Sequence, residues 1–507
     1  AGYNGLVTAV QLAKSGKKVL VLERRDVLGG IAATEELFPG CKVSVGPGEA
    51  GLFADEIVQG LFLKMHGLEF RESEVVLCVP QANLDAPLIL TTDIAQTQAE
   101  IARFSQSDAE KWPDFVAFTE RMTAVLHQMR LLTPPDTTDR QMTDLLGWGK
   151  VGLKLKGLGK REMMDFIRLL PLPVTDFLRE WFESDALIGA LTGSGVTGLM
   201  LGPGEAGTAL MWLYQGGVRP PRFVSGGTGE LAQALAGAAQ ADGAEIRLGT
   251  AVSHILVRDG KAVGVELANG EPIEAKTILS SADPRHTFFD LVGAQELEPR
   301  FMRAVRSIRF RGSTAQLHLL LNGLPQFGQT GDAHLGGKIV ICPSADYLQT
   351  AYDEAKYGRV STHPYLEILI PTLTDPTLAP AGQHLMSITM RYAPYHLRQS
   401  HWDEARAQLQ TRILDTLAEY APNLQSLVSN SHLITPLDFE QTYGLAEGSL
   451  HHGQMALDQL LVMRPVPGWG RYRTPIGGLY LCGSGAHPGG GLTGAPGWNA
   501  ARELLRE

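Results

Sequence analysis

Runs of apolar residues separated by polar turns predict alternating helices and strands in this chain. Residues 6–15 are compatible with a helix that ends at a glycine, and residues 19–22 form a continuous apolar run typical of a buried parallel strand. Near the other end, a short apolar run at 479–482 precedes a glycine-rich loop, and residues 498–505 are again compatible with a helix. This order of elements predicts an α/β fold.

The middle of the chain carries a different pattern. Short β-type runs between residues 246 and 281 are punctuated by Asp259-Gly260 and Asn269-Gly270, which are strong hairpin-turn dipeptides. We therefore predict a three-stranded meander here. Just before it, glycines at 226–229 lead into an alanine-rich helix that ends near residue 241.

Composition narrows the function classes. The 507 residues include 44% hydrophobic and 19% charged residues, which is ordinary for a folded protein. A net charge of −10 gives no support for a nucleic-acid partner. The four cysteines are scattered without a C-x-x-C pair, and no His, Cys or carboxylate spacing resembles a metal site. We therefore expect neither a disulfide framework nor a bound metal.

The first residues fit a dinucleotide-binding unit. Gly2 and Gly5 lie where a helix begins, and Glu23 follows the predicted strand 21 positions after Gly2. In such a unit the glycines let the backbone approach a pyrophosphate at a helix N-terminus, and the acidic residue binds a ribose hydroxyl. The strand that normally precedes this motif would lie before Ala1, so we expect the native protein to carry about ten further residues there.

A second glycine-rich loop, at residues 483–497, lies between a predicted strand and a predicted helix. The alternative is a floppy tail, but two prolines fix the path of this segment. The loop therefore predicts free backbone N–H groups that face a ligand.

Together these motifs resemble the phytoene-desaturase-like branch of the FAD-dependent oxidoreductases, over essentially the whole chain. The residues that carry the resemblance are Gly2-Tyr3-Asn4-Gly5-Leu6, Glu23-Arg24-Arg25 with Leu28-Gly29-Gly30, Gly226-Gly227-Thr228-Gly229, Ser280-Ser281-Ala282-Asp283-Pro284, Tyr472-Arg473-Thr474-Pro475 and Cys482 through Gly497. Residues 451–460 are similar to a signature of the subgroup that holds carotenoid ketolases and pyridine-nucleotide-disulfide-oxidoreductase-domain proteins. Two positions depart from the amine oxidases of the superfamily, because Ile31 replaces an arginine and Ser484 replaces an acidic residue.

The resemblance implies a glutathione-reductase-like Rossmann domain that binds FAD noncovalently, with an inserted mixed-sheet and helical substrate domain. It assigns the discontinuous FAD-binding domain to residues 1–60, 216–294 and 456–507, and the substrate domain to 61–215 and 295–455. The residues that it implies for FAD binding are Gly2, Asn4, Gly5, Glu23, Arg24, Gly29, Gly30, Val252, Gly483, Gly491, Leu492 and Thr493.

The implied function is that of an FAD-dependent desaturase or ketolase-like oxidoreductase, with hydride transfer to flavin from a long apolar isoprenoid or carotenoid-type substrate. Two alternatives stay open: a flavin oxidase or dehydrogenase of an unrelated small molecule, and a non-catalytic, FAD-stabilised, membrane-associated binding protein. Three side chains are catalytic candidates. Glu49 is either a base near the flavin or an exposed turn carboxylate, and His452 and His487 are either catalytic or brace a loop.

Residues 143–170 form a candidate membrane-interface segment. Five basic residues between positions 150 and 161 interleave with Trp and Leu residues, a composition typical of a helix at a lipid surface and equally of a solvated helix face. The first reading predicts a cytoplasmic protein bound peripherally to the inner face of a membrane. The sequence carries no signal for an oligomeric state.

Overall fold

The structure, a computed structural model, describes residues 1–82, 86–135 and 142–506. The strands in this part of the chain are β1 (Leu20–Leu22), β2 (Thr34–Glu35), β3 (Val43–Ser44), β4 (Phe70–Glu72), β5 (Val75–Val79), β6 (Leu88–Thr91), β7 (Arg222–Val224), β8 (Glu245–Arg247), β9 (Val252–Arg258), β10 (Lys261–Leu267), β11 (Pro272–Glu274), β12 (Ile278–Ser280), β13 (Thr314–Leu321), β14 (Lys338–Ile341), β15 (Leu366–Leu369), β16 (His384–Arg391), β17 (Val428–Ile434) and β18 (Leu479–Leu481).

Helices surround these strands. The α-helices in the same part of the chain are α1 (Tyr3–Lys14), α2 (Asp55–Gly60), α3 (Ile94–Ala102), α4 (Gln106–Arg130), α5 (Met142–Gly157), α6 (Gly159–Leu169), α7 (Val174–Arg179), α8 (Asp185–Thr192), α9 (Thr208–Tyr214), α10 (Gly229–Ala241), α11 (Pro299–Arg306), α12 (Ala345–Ala355), α13 (Trp402–Ala418), α14 (Leu424–Leu427), α15 (Pro436–Tyr443) and α16 (Ala495–Leu504).

The first layer brings the start, middle and end of the chain together. Strand β1 pairs in parallel with β8, and β12 pairs in parallel with β18, which is the strand before the C-terminal glycine loop. Helix α1 packs against both α10 and α16. The face of α10 that meets α1 is rich in buried alanines, whose small side chains let the two helices approach closely.

The predicted meander is confirmed. Strands β9, β10 and β11 form an antiparallel sheet in that order. The hairpin between β9 and β10 turns at Asp259 and Gly260, whose φ angles of 50° and 72° are those of the turn that this dipeptide favours.

The second layer is a seven-stranded sheet in the order β17-β13-β16-β15-β14-β5-β6. All neighbours are antiparallel except β14 and β5, so the sheet is mixed as expected. Helix α13 covers one face through Trp402, Leu409 and Ile413. Helices α4, α7 and α9 meet nearby in an aromatic core in which Phe115 contacts Trp212, with ring centroids 5.6 Å apart.

Residues just outside two predicted boundaries of the FAD-binding domain pack against that domain. Leu63 and Leu68 pack in the same core as α1 and α10, and β4 pairs with β7. Phe301 of α11 packs edge to face on Phe288, with centroids 4.8 Å apart. The boundaries themselves stay a prediction.

The candidate membrane segment forms two helices, α5 and α6, separated at Leu158, and Gly159 at the start of α6 has a φ of +82°. Among the described residues, no helix is long and apolar enough to cross a membrane.

Candidate functional site

The N-terminus of α1 and the Gly29-Gly30 doublet form one cradle. The amide N–H of Gly29 donates to the Ala1 carbonyl at 3.0 Å, and Gly2 and Gly29 form a parallel bridge. A Cβ atom on Gly30 would lie 3.3 Å from the Gly2 Cα, whereas the space beside Gly2 is open for 4 Å. The structure therefore brings these three predicted residues together around free backbone N–H groups, the arrangement that a pyrophosphate needs.

Glu23 lies at the end of β1, and its side chain is 11% exposed. One carboxylate oxygen accepts a hydrogen bond from the Arg25 amide at 3.0 Å. The amide of Thr250 donates to the Glu23 carbonyl at 2.7 Å, which holds the start of β9, and with it Val252, beside this carboxylate.

The side chain of Arg24, which was also predicted to bind the cofactor, donates to the Thr442 carbonyl at 3.0 Å, near the end of α15. Its role in cofactor binding stays a prediction.

The C-terminal loop, residues 483–494, closes over the same helix end. A Cβ atom on Gly483 would overlap the carbonyl oxygen of Ser281, and one on Gly497 would overlap that of Asn4. Asn4 Nδ2 donates to Ser484 Oγ at 3.2 Å, while Asn4 Oδ1 is buried without a hydrogen-bond partner among the described residues. Backbone contact at these glycines therefore brings Asn4, Gly5 and Gly483 together.

The far part of this loop passes along residues 50–54. The amide of Ala54 donates to the Thr493 carbonyl at 3.3 Å, and a Cβ on Gly491 would lie 3.2 Å from Leu52. Gly491 and Leu492 have φ angles of +105° and +54°, so the backbone turns back on itself here. Predicted residues Gly491, Leu492 and Thr493 consequently lie at the N-terminus of α16.

Three histidines surround the loop, of which His487 is buried and His451 and His452 are half-buried. Burial, with the Arg464 charge beside them, lowers the pKa of His451 and His452 to about 3. Burial lowers the pKa of His487 to about 4, and this ring contacts the Met129 carbonyl at 3.2 Å. All three are neutral at pH 7, and their Nδ1 atoms have no hydrogen-bond partner in the described part of the chain.

His451 was not among the predicted site residues, although it adjoins His452. Its ring fills the space between two glycines, because a Cβ on Gly490 would overlap its Nδ1 and one on Gly198 would lie 2.7 Å from its Cδ2. The two glycines are the signal in the sequence, but only the folded structure shows that the space they leave is occupied by the His451 ring.

Arg464 was also missed. It is fully buried and, within the described part of the chain, donates only to backbone carbonyls, among them Ser484 at 3.0 Å and 2.8 Å and Gln459 at 3.2 Å. Burial lowers its pKa to about 10, so the guanidinium still carries a positive charge at pH 7. No carboxylate contacts it among the described residues.

Glu49 is neither an exposed turn carboxylate nor a free base. Its side chain is 17% exposed and forms a two-pronged ion pair with Arg219, at 2.7 Å and 3.0 Å. Burial alone would raise the pKa of this carboxyl, but the Arg219 guanidinium lowers it to about 2. A carboxylate held in this way is a poor proton acceptor at neutral pH.

The large sheet faces the loop that carries Glu49. Gln316 of β13 donates to the Gly46 carbonyl at 2.7 Å. Next to it lies a buried polar cluster in which Glu367 accepts hydrogen bonds from Arg391 at 3.1 Å and from the Tyr365 hydroxyl at 2.9 Å. Because these charges are paired and hydrogen-bonded, the cluster is a rigid polar part of the sheet.

Comparison with known proteins decides the family. A sequence model described as flavin containing amine oxidoreductase matches residues 194–505, and one described as NAD(P)-binding Rossmann-like domain matches residues 1–48. The chain belongs to the flavin containing amine oxidoreductase family. As in that family, the cofactor is FAD, and the predicted resemblance and the predicted Rossmann fold are confirmed.

Two relatives and one solved structure are similar to the chain over nearly its whole length. It is 34% identical to the pyridine nucleotide-disulfide oxidoreductase domain-containing protein 2 of Rattus norvegicus, over 100% of this chain and 92% of the rat protein. It is 27% identical to a lycopene-forming phytoene desaturase of Pseudescherichia vulneris, over 97% of this chain and 95% of that protein. An oxidoreductase of Methanosarcina mazei shares the fold, with a TM-score of 0.60 and 17% identity over 100% of this chain and 98% of that one.

The residues of this flavin containing amine oxidoreductase fit FAD. The open cradle at Gly2 matches a diphosphate at the start of α1, and Glu23 is the ribose ligand expected at the end of β1. The loop at 491–493 and the start of α16 would hold the flavin. No group of three or more His, Cys, Asp and Glu side chains is arranged to hold a metal ion in the described residues.

Proposed function

We propose that the protein is an FAD-dependent desaturase or ketolase-like oxidoreductase that removes hydrogen from a long apolar substrate of isoprenoid or carotenoid type. The observation that carries this proposal is the electrostatic state of the C-terminal loop. The histidines beside it are neutral, with pKa values near 3 or 4, and Glu49 is held by Arg219. These side chains accept protons poorly at pH 7.

Such a site matches chemistry that needs little side-chain acid or base. Bound FAD supplies the electron acceptor. The chain's own residues orient the cofactor, exclude water around the loop and keep the histidine rings uncharged. The relatives named as phytoene desaturases support the same substrate class.

The charges near the loop disfavour an amine substrate. Arg464 is a buried cation without a carboxylate partner among the described residues, and Arg130 is a second one. A protonated amine that approached these guanidinium groups would meet like charge in a medium of low dielectric constant. The acidic residue that amine oxidases of the superfamily carry after the position of Gly483 is replaced by Ser484, which bonds Asn4.

We also propose that α5 and α6 contact a membrane surface, from which an apolar substrate enters. Leu146, Leu153, Met164 and Ile167 are between 50% and 69% exposed. Leu146, Lys150 and Leu153 share one face of α5 because they are four and three residues apart. Lys154 is not part of this surface, since it donates to the Ala124 carbonyl at 3.0 Å.

The experiment that tests the oxidoreductase proposal is an anaerobic visible spectrum of the FAD-loaded protein. The spectrum is recorded before and after the addition of a host lipid extract and, separately, of NAD(P)H. Bleaching of the flavin by the lipid extract alone is the expected result. Bleaching by NAD(P)H alone would reverse the direction of electron flow and point to a reductase, which would overturn the proposal.

A further inference from the structure

A cavity of about 350 Å³ lies beside the C-terminal loop, between residues 51–56, α4 and residues 213–222. It is separate from the α1 cradle, and Leu52 lies between the cavity and the C-terminal loop. The charged side chains that line it are Asp55, Glu56, Glu120, His127, Arg130, Arg219 and Arg222.

The charges are ordered from rim to floor. The carboxylates are at the exposed rim, where Asp55 is 61% and Glu56 54% exposed. The arginines lie deeper, since the side chains of Arg219 and Arg222 are 23% and 17% exposed. Water screens the rim carboxylates, so the floor determines the electrostatic character of the interior.

Two of the floor arginines already have carboxylate partners. Arg219 pairs with Glu49 at 2.7 Å, and Arg222 pairs with Asp55 at 2.8 Å. One positive charge at the floor has no carboxylate partner among the described residues.

That charge belongs to Arg130, at the end of α4. The residue is 7% exposed, its Nε is buried without a hydrogen-bond partner, and none of its nitrogen atoms forms a hydrogen bond or ion pair with the described residues. Its guanidinium stacks on the Tyr214 ring at 4.0 Å, which fixes its plane but leaves its donors free. Leaving a buried cation unpaired is costly, so this one is arranged for an anion that comes from outside.

The cavity is one layer of residues away from the loop that would hold the flavin. The Tyr214 hydroxyl donates to the carbonyls of Pro488 at 3.2 Å and Gly490 at 3.3 Å. Leu52, which lines the cavity, contacts the position of Gly491. A group bound at Arg130 is therefore held at a fixed distance from the loop.

We propose that Arg130 binds an oxyanion, a carboxylate or a phosphate ester, at one end of the otherwise apolar substrate. The planar guanidinium offers parallel N–H donors, which match the two oxygens of such a group. The inference rests on the proposed function, because it makes the oxyanion the polar end of the molecule that is oxidised. It makes the substrate an amphipathic acid or phosphate in place of a pure hydrocarbon.

Isothermal titration calorimetry on the FAD-loaded protein tests the site, with octanoate, octyl phosphate and octanol as probes. We expect octanoate or octyl phosphate to bind at least about tenfold more tightly than octanol, and the tighter of the two identifies the source of the oxyanion. Arg130→Met should abolish this difference. Arg306→Met, which removes an exposed arginine stacked on Phe289, is the matched control and should keep it.

Equal binding of octanol and both anions by the wild-type protein would overturn the proposal, as would an Arg130→Met variant that keeps the full difference. If Arg130→Met loses its flavin, Arg130→Lys decides the question. The lysine keeps the charge but not the planar fork, so it should weaken anion binding several-fold and leave octanol unchanged. Equal weakening of all probes would contradict the proposal.

The result also separates this inference from the oxidoreductase proposal. If the protein binds the anionic probes selectively but no lipid bleaches its flavin, the Arg130 site stands and the proposed function is overturned. If lipid bleaches the flavin but the protein shows no anion selectivity, the proposed function stands and the Arg130 site is overturned.

Discussion

The guanidinium of Arg464 donates twice to the carbonyl oxygen of Ser484, through Nε at 3.0 Å and Nη2 at 2.8 Å. The same guanidinium also donates to the carbonyls of Gln454 and Gln459, so one buried side chain ties the C-terminal loop to the segment before it. The carbonyl dipoles take the place of a carboxylate partner.

Arg464→Met should therefore destabilise the protein and release its flavin. The variant leaves several buried carbonyls without donors, and we expect a loss of about 4 kcal/mol in the free energy of unfolding. Chemical denaturation and the ratio of bound flavin to protein measure the two effects. Arg306→Met is the control, because it removes an exposed arginine. Unchanged flavin content in Arg464→Met would contradict the role given to this residue.

Gly483→Ala should abolish flavin retention. The added Cβ would overlap the Ser281 carbonyl, and neither backbone segment can move without separating β12 from β18. Gly152→Ala is the matched control, since nothing lies within 4 Å of its added Cβ in α5. That change should stabilise the protein by about 1 kcal/mol. Bound flavin after gel filtration distinguishes the two variants.

The histidines around the C-terminal loop should make the fold sensitive to mild acid. Their pKa values in the folded state are lowered, so the unfolded chain binds protons first as the pH falls below about 6.5. Each histidine then removes about 1.4 kcal/mol of stability per pH unit, until the pH reaches its folded pKa of about 3 or 4.

His487→Asn should reduce this slope by the contribution of one histidine. The measurement is the free energy of unfolding between pH 7 and 4.5. His334→Asn is the control, because it changes the number of histidines without changing a buried ring. An identical slope in His487→Asn and the wild type would show that His487 becomes protonated in the folded protein.

The Glu49 and Arg219 pair loses its contribution to stability at a lower pH than the histidines do. The folded pKa of Glu49 is lowered from 4.5 to about 2, so its contribution to stability is present above about pH 4.5 and is lost as the pH falls through 2. Glu49→Gln should cost about 3 kcal/mol at pH 7, and the difference from the wild type should shrink below pH 4.5. The exposed pair of Glu56 and His127 supplies the control, and Glu56→Gln should cost about 0.5 kcal/mol or less.

Local signals made the cofactor motifs predictable. A glycine such as Gly483 indicates close backbone approach at its own position, and a dipeptide such as Asp259-Gly260 indicates a hairpin turn at its own position. The helix α1, the meander and the strand β18 follow from patterns within about ten residues. Local patterns alone did not predict the Arg24 contact with Thr442, because its partner is 418 positions away.

The polar partners of the site were not predictable for the same physical reason. Glu49 meets Arg219 across 170 positions, and the Tyr214 hydroxyl meets the Pro488 carbonyl across 274. Sequence spacing carries no information on such pairs, which form only when both layers pack. Leu63 and Phe301, just outside two predicted domain boundaries, likewise contact cores built by distant segments.

Binding to lipid vesicles should depend on the mixed surface of α5 and α6. Its lysines at 150, 156 and 160 are exposed, and they flank the exposed Leu153 and Ile167. Basic groups near an anionic membrane contribute about 1 kcal/mol each, and buried apolar side chains add to that. The FAD-loaded protein should therefore float with vesicles that contain anionic lipid.

The triple variant Lys150→Gln, Lys156→Gln, Lys160→Gln should lose most of this flotation, and Leu153→Ser with Ile167→Ser should lose it even at low salt. A triple variant with Lys17→Gln, Lys18→Gln and Lys42→Gln carries the same change in net charge elsewhere on the surface and should float like the wild type. Equal loss in both triple variants would assign the binding to net charge alone. If the wild-type protein does not float, the proposed membrane contact is wrong. An apolar substrate would then have to reach the site from a soluble carrier.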